Sequence, residues 1–210
     1  MRVWIDITNS PHVLFFAPFV DDLHKGGHEV TITAREYAQT VPLLEQKRLE
    51  YTLIGRHRGA SMNAKALGLL SRSTSLMHFA RGRHFDVAFS HNSNDMSVAA
   101  AFLGIPLLMV HDYEHAKLSY AVNARLATRI LVPEAIPKAA IVKHGTTAEK
   151  VGHFPGLKEH VYLQPDSPAE DLRGELGVGP EGVLVVVRAP ATMSAYHQFE
   201  NELFDAVLKR

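Results

Sequence analysis

The sequence predicts an α/β fold with a doubly wound parallel sheet. Three observations carry that expectation. Short, almost continuously apolar segments such as DVAFS and IPLLMV alternate with stretches of helical composition. The apolar segments lack the polar alternation of a half-exposed strand, so both of their faces must be covered. Glycine, proline or a small polar residue marks nearly every junction, as in a strand–helix–strand chain with right-handed crossovers. The result is a Rossmann-like layer.

The elements follow in order. Val3, Trp4, Ile5 and Ile7 form a buried strand that stops at the turn Thr8-Asn9-Ser10-Pro11. A helix follows, with Pro18 read as a first-turn residue and Gly26-Gly27 as its C-terminal stop. His28–Thr33 is the second strand, Tyr37–Arg48 is helical with Pro42 as a potential break, and Tyr51–Ile54 is a short strand ended by Gly55. Arg56–Gly59 reads as a basic loop. Ser61–Ala80 is a long helix with Leu67, Leu70, Met77 and Leu76 facing inward. Asp86–Ser90 is a strand, Asp95–Leu103 a helix of small residues closed by Gly104, Ile105–Val110 a strand, Leu118–Ala127 a helix and Arg129–Val132 a strand. Seven or so strand signals precede residue 163.

The character then changes. Residues 164–182 hold Pro165, Pro168, Pro180 and four glycines, and read as a linker containing one short helix, 168–176. Val183–Val187 reads as a buried strand and Ala195–Lys209 as a helix. A single β-α unit cannot form a core alone. The expected organisation is therefore a Rossmann-like domain over 1–163, a linker over 164–182, and the start of an incomplete second domain over 183–210.

Bulk composition narrows the function classes. The 210 residues carry 22 basic and 22 acidic side chains, so no global charge steers the chain toward nucleic acid. There is no cysteine, which excludes disulfides and thiolate zinc sites. The N-terminus lacks the order of a signal peptide, since Asp6, Asn9 and Ser10 interrupt its apolar run. A cytoplasmic protein is expected.

In open α/β sheets ligands sit beyond the carboxyl ends of the strands. Those ends hold Asn9, Ser10 and His12, then His91, Asn92 and Asp95, then His111, Asp112 and Glu114, and finally Arg188 after the late strand. Asn, Ser and Asp at such points also cap helices. The helix starts that follow favour phosphate or carboxylate. Neither G-x-G-x-x-G nor G-x-x-x-x-G-K-[ST] is present, which disfavours dinucleotide dehydrogenases and P-loop NTPases.

PHVLFFAPFVDDLHKGGHEVTITARE resembles the opening of GT-B enzymes. GIPLLMVHDYEHAKLSYAVNARLATRILVP is similar to the matching segment of the lipid I N-acetylglucosaminyltransferase family. SHNSNDMSVAAAFLGIP is similar to the corresponding loop, helix and strand of the non-hydrolysing UDP-N-acetylglucosamine 2-epimerases. WIDITNSPHVLFF, HDYE, FPGLKEHVYL and VVVRAPATMSAYH together resemble domain-of-unknown-function family 354 over essentially the whole chain. The resemblance implies a GT-B protein whose substrate is a nucleotide-sugar and which has no resident cofactor. It implies a sugar or lipid-linked acceptor and allows peripheral membrane contact. Relatives are longer, so a truncated second domain is expected. The epimerase loop has Asp directly after Gly where this chain has His91-Asn92, and its His-Val-Glu is replaced by His111-Asp112-Tyr113-Glu114.

The candidate chemistry follows. His12 is a general base or a histidine packed beneath the first helix. Asp112 and Glu114 accept sugar hydroxyls, act as base, or cap a helix. Arg188 offers a bidentate fork to phosphate, and Tyr196 and His197 line the same cleft or lie on a helix surface. HDYEH echoes H-E-x-x-H, but it starts at a strand end with Asp in second place, so no metal is expected. The basic residues Arg56, His57, Arg58, Arg72, Arg81, Arg83 and His84 read as solvated surface, with an anionic-lipid surface as the alternative. Glycosyl transfer is the leading reading. The alternatives are an epimerase using Asp95, Asp112 and Glu114, and a non-catalytic domain that binds sugar or partner protein.

Overall fold

A computed structural model describes residues 1–56, 62–163, 172–187 and 202–209. The chain divides into two compact units, Met1–Leu163 and Gln164–Arg210.

The first unit is built on seven strands: β1 Arg2–Ile7, β2 Glu29–Glu36, β3 Thr52–Arg56, β4 Val87–His91, β5 Leu107–Val110, β6 Arg129–Pro133 and β7 Val151–Phe154. All pairings are parallel, in the order β3-β2-β1-β4-β5-β6-β7. The helices are α1 Ser10–Lys25, α2 Thr40–Gln46, α3 Met62–Ala80, α4 Asn94–Leu103, α5 Lys117–Leu126 and α6 Lys138–Val142. The period-two alternation of the strands divides the core in two. Val3, Ile5 and Ile7 pack with Val13, Phe16 and Val20 of α1 and Leu44 of α2. Trp4, between them, points the other way and joins Leu76, Met96, Ala99, Tyr120 and Ile141 from α3 to α6. Chain order reverses between β1 and β4, and this switch point positions the site.

Several elements differ from the sequence expectation for local reasons. α1 begins at Ser10, because Asn9 Oδ1 accepts the Ser10 amide at 2.9 Å and Pro11 fits the first turn. Pro18 therefore lies inside the helix, and His12 sits in its first turn. Pro42 likewise falls in the first turn of α2, where its missing N–H costs little. β3 continues through Gly55, whose φ of 80° favours glycine. In α3 the buried stripe runs through Arg72, Leu76 and Ala80, and Leu70 is 66% exposed, contrary to its expected inward position. Leu67 lies outside the residues whose side chains are described.

In the second unit, α7 spans Leu172–Glu175 and α8 spans Leu203–Leu208. Arg173 donates to the carbonyls of Gly179 and Gly182 and closes the turn between them. Residues 182–187 carry no ladder pairing among the described residues, and Val183 and Val186 are more than four-fifths exposed. The expected buried strand at 183–187 is thus corrected: β-branched residues favour an extended chain, but burial needs a neighbouring strand to pair with.

The corrected phase of α3 has a measurable consequence. Leu76→Ala is expected to lower unfolding free energy by about 2–5 kcal/mol, and Leu70→Ala to change it by less than about 0.5 kcal/mol. Urea denaturation of the two variants checks this, and similar losses at both positions would contradict the packing.

Candidate functional site

A cavity of about 680 Å³ opens at the carboxyl edge of the sheet beside the switch point. Thr8, Asn9 and His12 reach it from β1 and α1, Arg35 from β2, Arg72 from α3, and Asn92 to Asp95 from the β4–α4 turn. The local sequence dictates that turn. Asn92 takes a φ of 53°, a left-handed conformation that asparagine tolerates. This reversal lets Ser93 cap α4 by accepting the Met96 amide at 3.2 Å. The Asn92 carboxamide oxygen accepts from Asn123 Nδ2 at 3.2 Å, and Asn123 in turn accepts the Ser97 hydroxyl at 2.7 Å.

Beneath the cavity lies a buried ionic network. Asp6 follows Trp4 by two residues and so projects toward the same helix layer, where Arg72 precedes Leu76 by one helical turn. Arg72 grips Asp6 through two parallel bonds of 2.9 and 2.7 Å, reaches Asp95 at 3.1 Å, and donates Nε to the Ile54 carbonyl at 2.8 Å. Thr33 and Ser93 complete the Asp6 carboxylate with hydroxyl donors at 2.8 and 2.7 Å. Burial alone raises the Asp6 pKa, but Arg72 and these hydroxyls outweigh it and hold the group below its ordinary value. For Asp95 burial prevails, and its pKa is raised. Arg35 lies 4.0 Å from Asp95 and donates to the Thr8 carbonyl at 3.0 Å.

A second cluster adjoins the first. The His12 and His91 rings lie 4.4 Å apart, and His12 Nδ1 is 3.3 Å from the Thr8 hydroxyl. His91 Nε2 is 3.7 Å from Asp112, which forms an ion pair with Lys158. Lys158 also pairs with Glu159 at 2.9 Å. Burial holds His12 well below its ordinary pKa, helped by the adjoining His91, which opposes a second charge beside it, and by the cations Lys158 and Arg35. Burial brings His91 down to about 4 and His111 to about 3. These imidazoles are neutral at physiological pH.

The expected site residues therefore separate. Asn9, His12, Asn92 and Asp95 share the cavity, and His91 and Asp112 back onto it through His12. Ser10 is buried, and its hydroxyl accepts the Gln39 amide at 2.9 Å, a tether between α1 and α2. His111 is buried against Tyr120, ring to ring at 4.1 Å, with Tyr120 stacked in turn on His144. Glu114 does not line the cavity, and its carboxylate pairs with the exposed His115 at 3.4 Å. Arg188, Tyr196 and His197 lie outside the described residues, as do His57 and Arg58. Arg72, expected on a solvated surface, is instead buried within the ion network. Sequence reading missed Asp6, Arg35 and Lys158. Asp6 carried a signal, because a carboxylate inside the strand VWIDI needs a buried cation.

The family described as "Protein of unknown function (DUF354)" matches residues 1–205. An uncharacterised Methanocaldococcus jannaschii protein, MJ0665, is 29% identical over 215 residues, covering 100% of this chain and 62% of that one. The fold is similar to that of a UDP-N-acetylglucosamine 2-epimerase, with a TM-score of 0.65 and 14% identity over 84% of this chain and 55% of that one. It is also similar to Acinetobacter baumannii MurG, with a TM-score of 0.53 and 18% identity over 65% of this chain and 42% of that one. At these identities the structural likeness establishes the GT-B Rossmann-like architecture. The chain spans less than two thirds of the length of each of these relatives.

Two outcomes test the electrostatics. Arg72→Met leaves Asp6 buried without its cation and is expected to cost about 3–5 kcal/mol, while adding Asp6→Asn recovers most of the loss. Chemical denaturation of the single and double variants checks the coupling. His91 binds a proton more readily when unfolded, near pH 6.5, than when folded, near 4. Its stabilising contribution is complete above about 6.5 and is lost as pH falls through about 4. Across that window His91→Gln is expected to flatten the pH dependence of unfolding by up to about 1.4 kcal/mol per pH unit. An unchanged slope would show that His91 is protonated in the fold.

Proposed function

The chain belongs to the DUF354 family, and we propose that it forms the acceptor-side half of a GT-B enzyme that transfers sugar from a nucleotide-sugar. The observation that carries this reading is the neutral imidazole of His12 on the wall of a polar cavity at the switch point. In inverting transfer the acceptor oxygen bonds to the anomeric carbon as its proton passes to a base, and the bond from that carbon to the diphosphate breaks, releasing the nucleoside diphosphate. A buried, uncharged histidine is available for that step, with Thr8 against its Nδ1 to orient the ring. Asn9, Asn92 and Arg35 supply hydrogen-bonding partners suited to sugar hydroxyls, and Asp95 is a carboxylate whose charge Arg72 balances. Two structural neighbours, one named for UDP-N-acetylglucosamine and one a MurG, support the substrate class. A sugar or lipid-linked molecule is the proposed acceptor. Arg188, Tyr196 and His197 remain proposed contacts for the donor phosphates and the cleft.

One observation favours transfer over epimerisation. An epimerase using Asp95, Asp112 and Glu114 needs at least two of them at one substrate carbon. Only Asp95 lines the cavity, while Asp112 is bound to Lys158 and Glu114 to His115.

Calorimetry of the full-length protein with UDP-N-acetylglucosamine and UDP-glucose is expected to show saturable binding of at least one of them. His12→Gln is expected to lower sugar transfer by about 10²–10⁴-fold while leaving donor affinity nearly intact. Undiminished transfer in that variant would remove His12 from the mechanism. Solvent deuterium entering the sugar at C2 would replace transfer by epimerisation.

A further inference from the structure

We infer that Lys158 is a positioning residue: through its ion pair with Asp112 it keeps the buried His12–His91 pair uncharged and His12 free to accept a proton. The inference rests on the reading of His12 as base given above.

Lys158 comes from a remote part of the chain. The turn after β7 passes through Gly156 at a φ of 71°, and the short 3-10 helix Lys158–Val161 follows. Val161 and Tyr162 pack against the α1 side of the core and anchor that segment. The Lys158 side chain is thereby 15% exposed, with its ammonium on the Asp112 carboxylate. Asp112 has two cationic or protonatable neighbours, Lys158 and His91 Nε2 at 3.7 Å. The first satisfies the carboxylate. The second is too long for a hydrogen bond, and among the described residues no side chain bonds the buried ring nitrogens of His91.

Charge balance decides what this arrangement does. A buried imidazolium needs a carboxylate that is not already compensated. With Lys158 present, its ammonium offsets Asp112 while the more solvent-exposed Glu159 shares it, and charging either buried histidine is unfavourable. Without Lys158, Asp112 faces His91 alone, and the coupled pair takes up its first proton at higher pH. The groups facing His91 are Asp112, Lys158, Glu159, His12 and His111, and those facing His12 are His91, Lys158, Arg35 and the Thr8 hydroxyl. Burial and the Lys158 cation both act to keep the two rings neutral.

The test is an NMR titration of the imidazole nitrogens in the intact chain, with the pH profile of the transfer reaction as a second readout. In Lys158→Gln the first protonation of the His12–His91 pair is expected to rise by about one pH unit or more, because an uncompensated carboxylate now faces it. Lys158→Arg is expected to keep the original midpoint, and Lys158→Gln with Asp112→Asn to return it to near that value. The acid limb of the rate profile should move with the midpoint. A midpoint that stays fixed in folded Lys158→Gln overturns the inference, whatever the activity. A midpoint that moves while the acid limb does not leaves the Lys158 role standing and sinks the assignment of His12 as base.

Discussion

The grip of Arg72 on Asp6 is the interaction on which the rest of the site depends. Two charges are taken out of water in the middle of a parallel sheet, where each alone would cost several kcal/mol, on the order of the stability of a whole domain. They are tolerated because every lone pair of Asp6 is answered: by the guanidinium on both oxygens, by Thr33 on one and by Ser93 on the other. Thr33 itself accepts the indole N–H of Trp4, so the network reaches into the apolar core. It fixes α3 to β1 and α4 to β1 at the point where strand order reverses. An apolar replacement would pack as well, but it would not hold Asp95 and the β4–α4 turn in one orientation.

From that anchor the polar groups of the sheet edge divide by environment. Asp95, reached by the same guanidinium, faces a cavity and is drawn toward its neutral form by burial. His12 and His91 stand side by side, and among the described residues no carboxylate lies within hydrogen-bonding range, so burial, aided by Lys158, favours the neutral rings. His111, one strand further along, is equally buried but lies between β5 and the ring of Tyr120, where it fills space. Three histidines at adjacent strand ends therefore have different surroundings: an open wall, a buried neighbour of that wall, and an aromatic stack.

Capping and cavity lining share residues here. Asn9 and Ser93 satisfy amides at the starts of α1 and α4, and both also line the cavity. A helix start placed at a strand end supplies unpaired amides and a turn at once. Reading such a residue as either a cap or a ligand contact sets up a choice that the geometry does not require. Ser10 is the contrasting case, since its buried hydroxyl accepts the Gln39 amide and does not line the cavity.

Much of the fold was legible in the chain itself. Apolar runs such as DVAFS and IPLLMV announce strands buried on both faces, and Gly27 and Gly104 follow helix ends where a positive φ favours a residue without a side chain. That a cavity lies at the strand ends is expected from parallel topology, and His12, Asn92 and Asp95, read from the sequence as candidates, line it. What only the tertiary structure decided is pairing across long separations. Arg72 looks like one more basic residue on a long helix until α3 is set in register over β1, 66 positions away, and Lys158 means little until its turn meets Asp112, 46 positions away. Local periodicity tells which face of an element is apolar; it carries no information on which charge another element will bring to that face. Val183–Val187 shows the converse, since four valines and a leucine in a row make a strand only where a neighbour offers them hydrogen bonds.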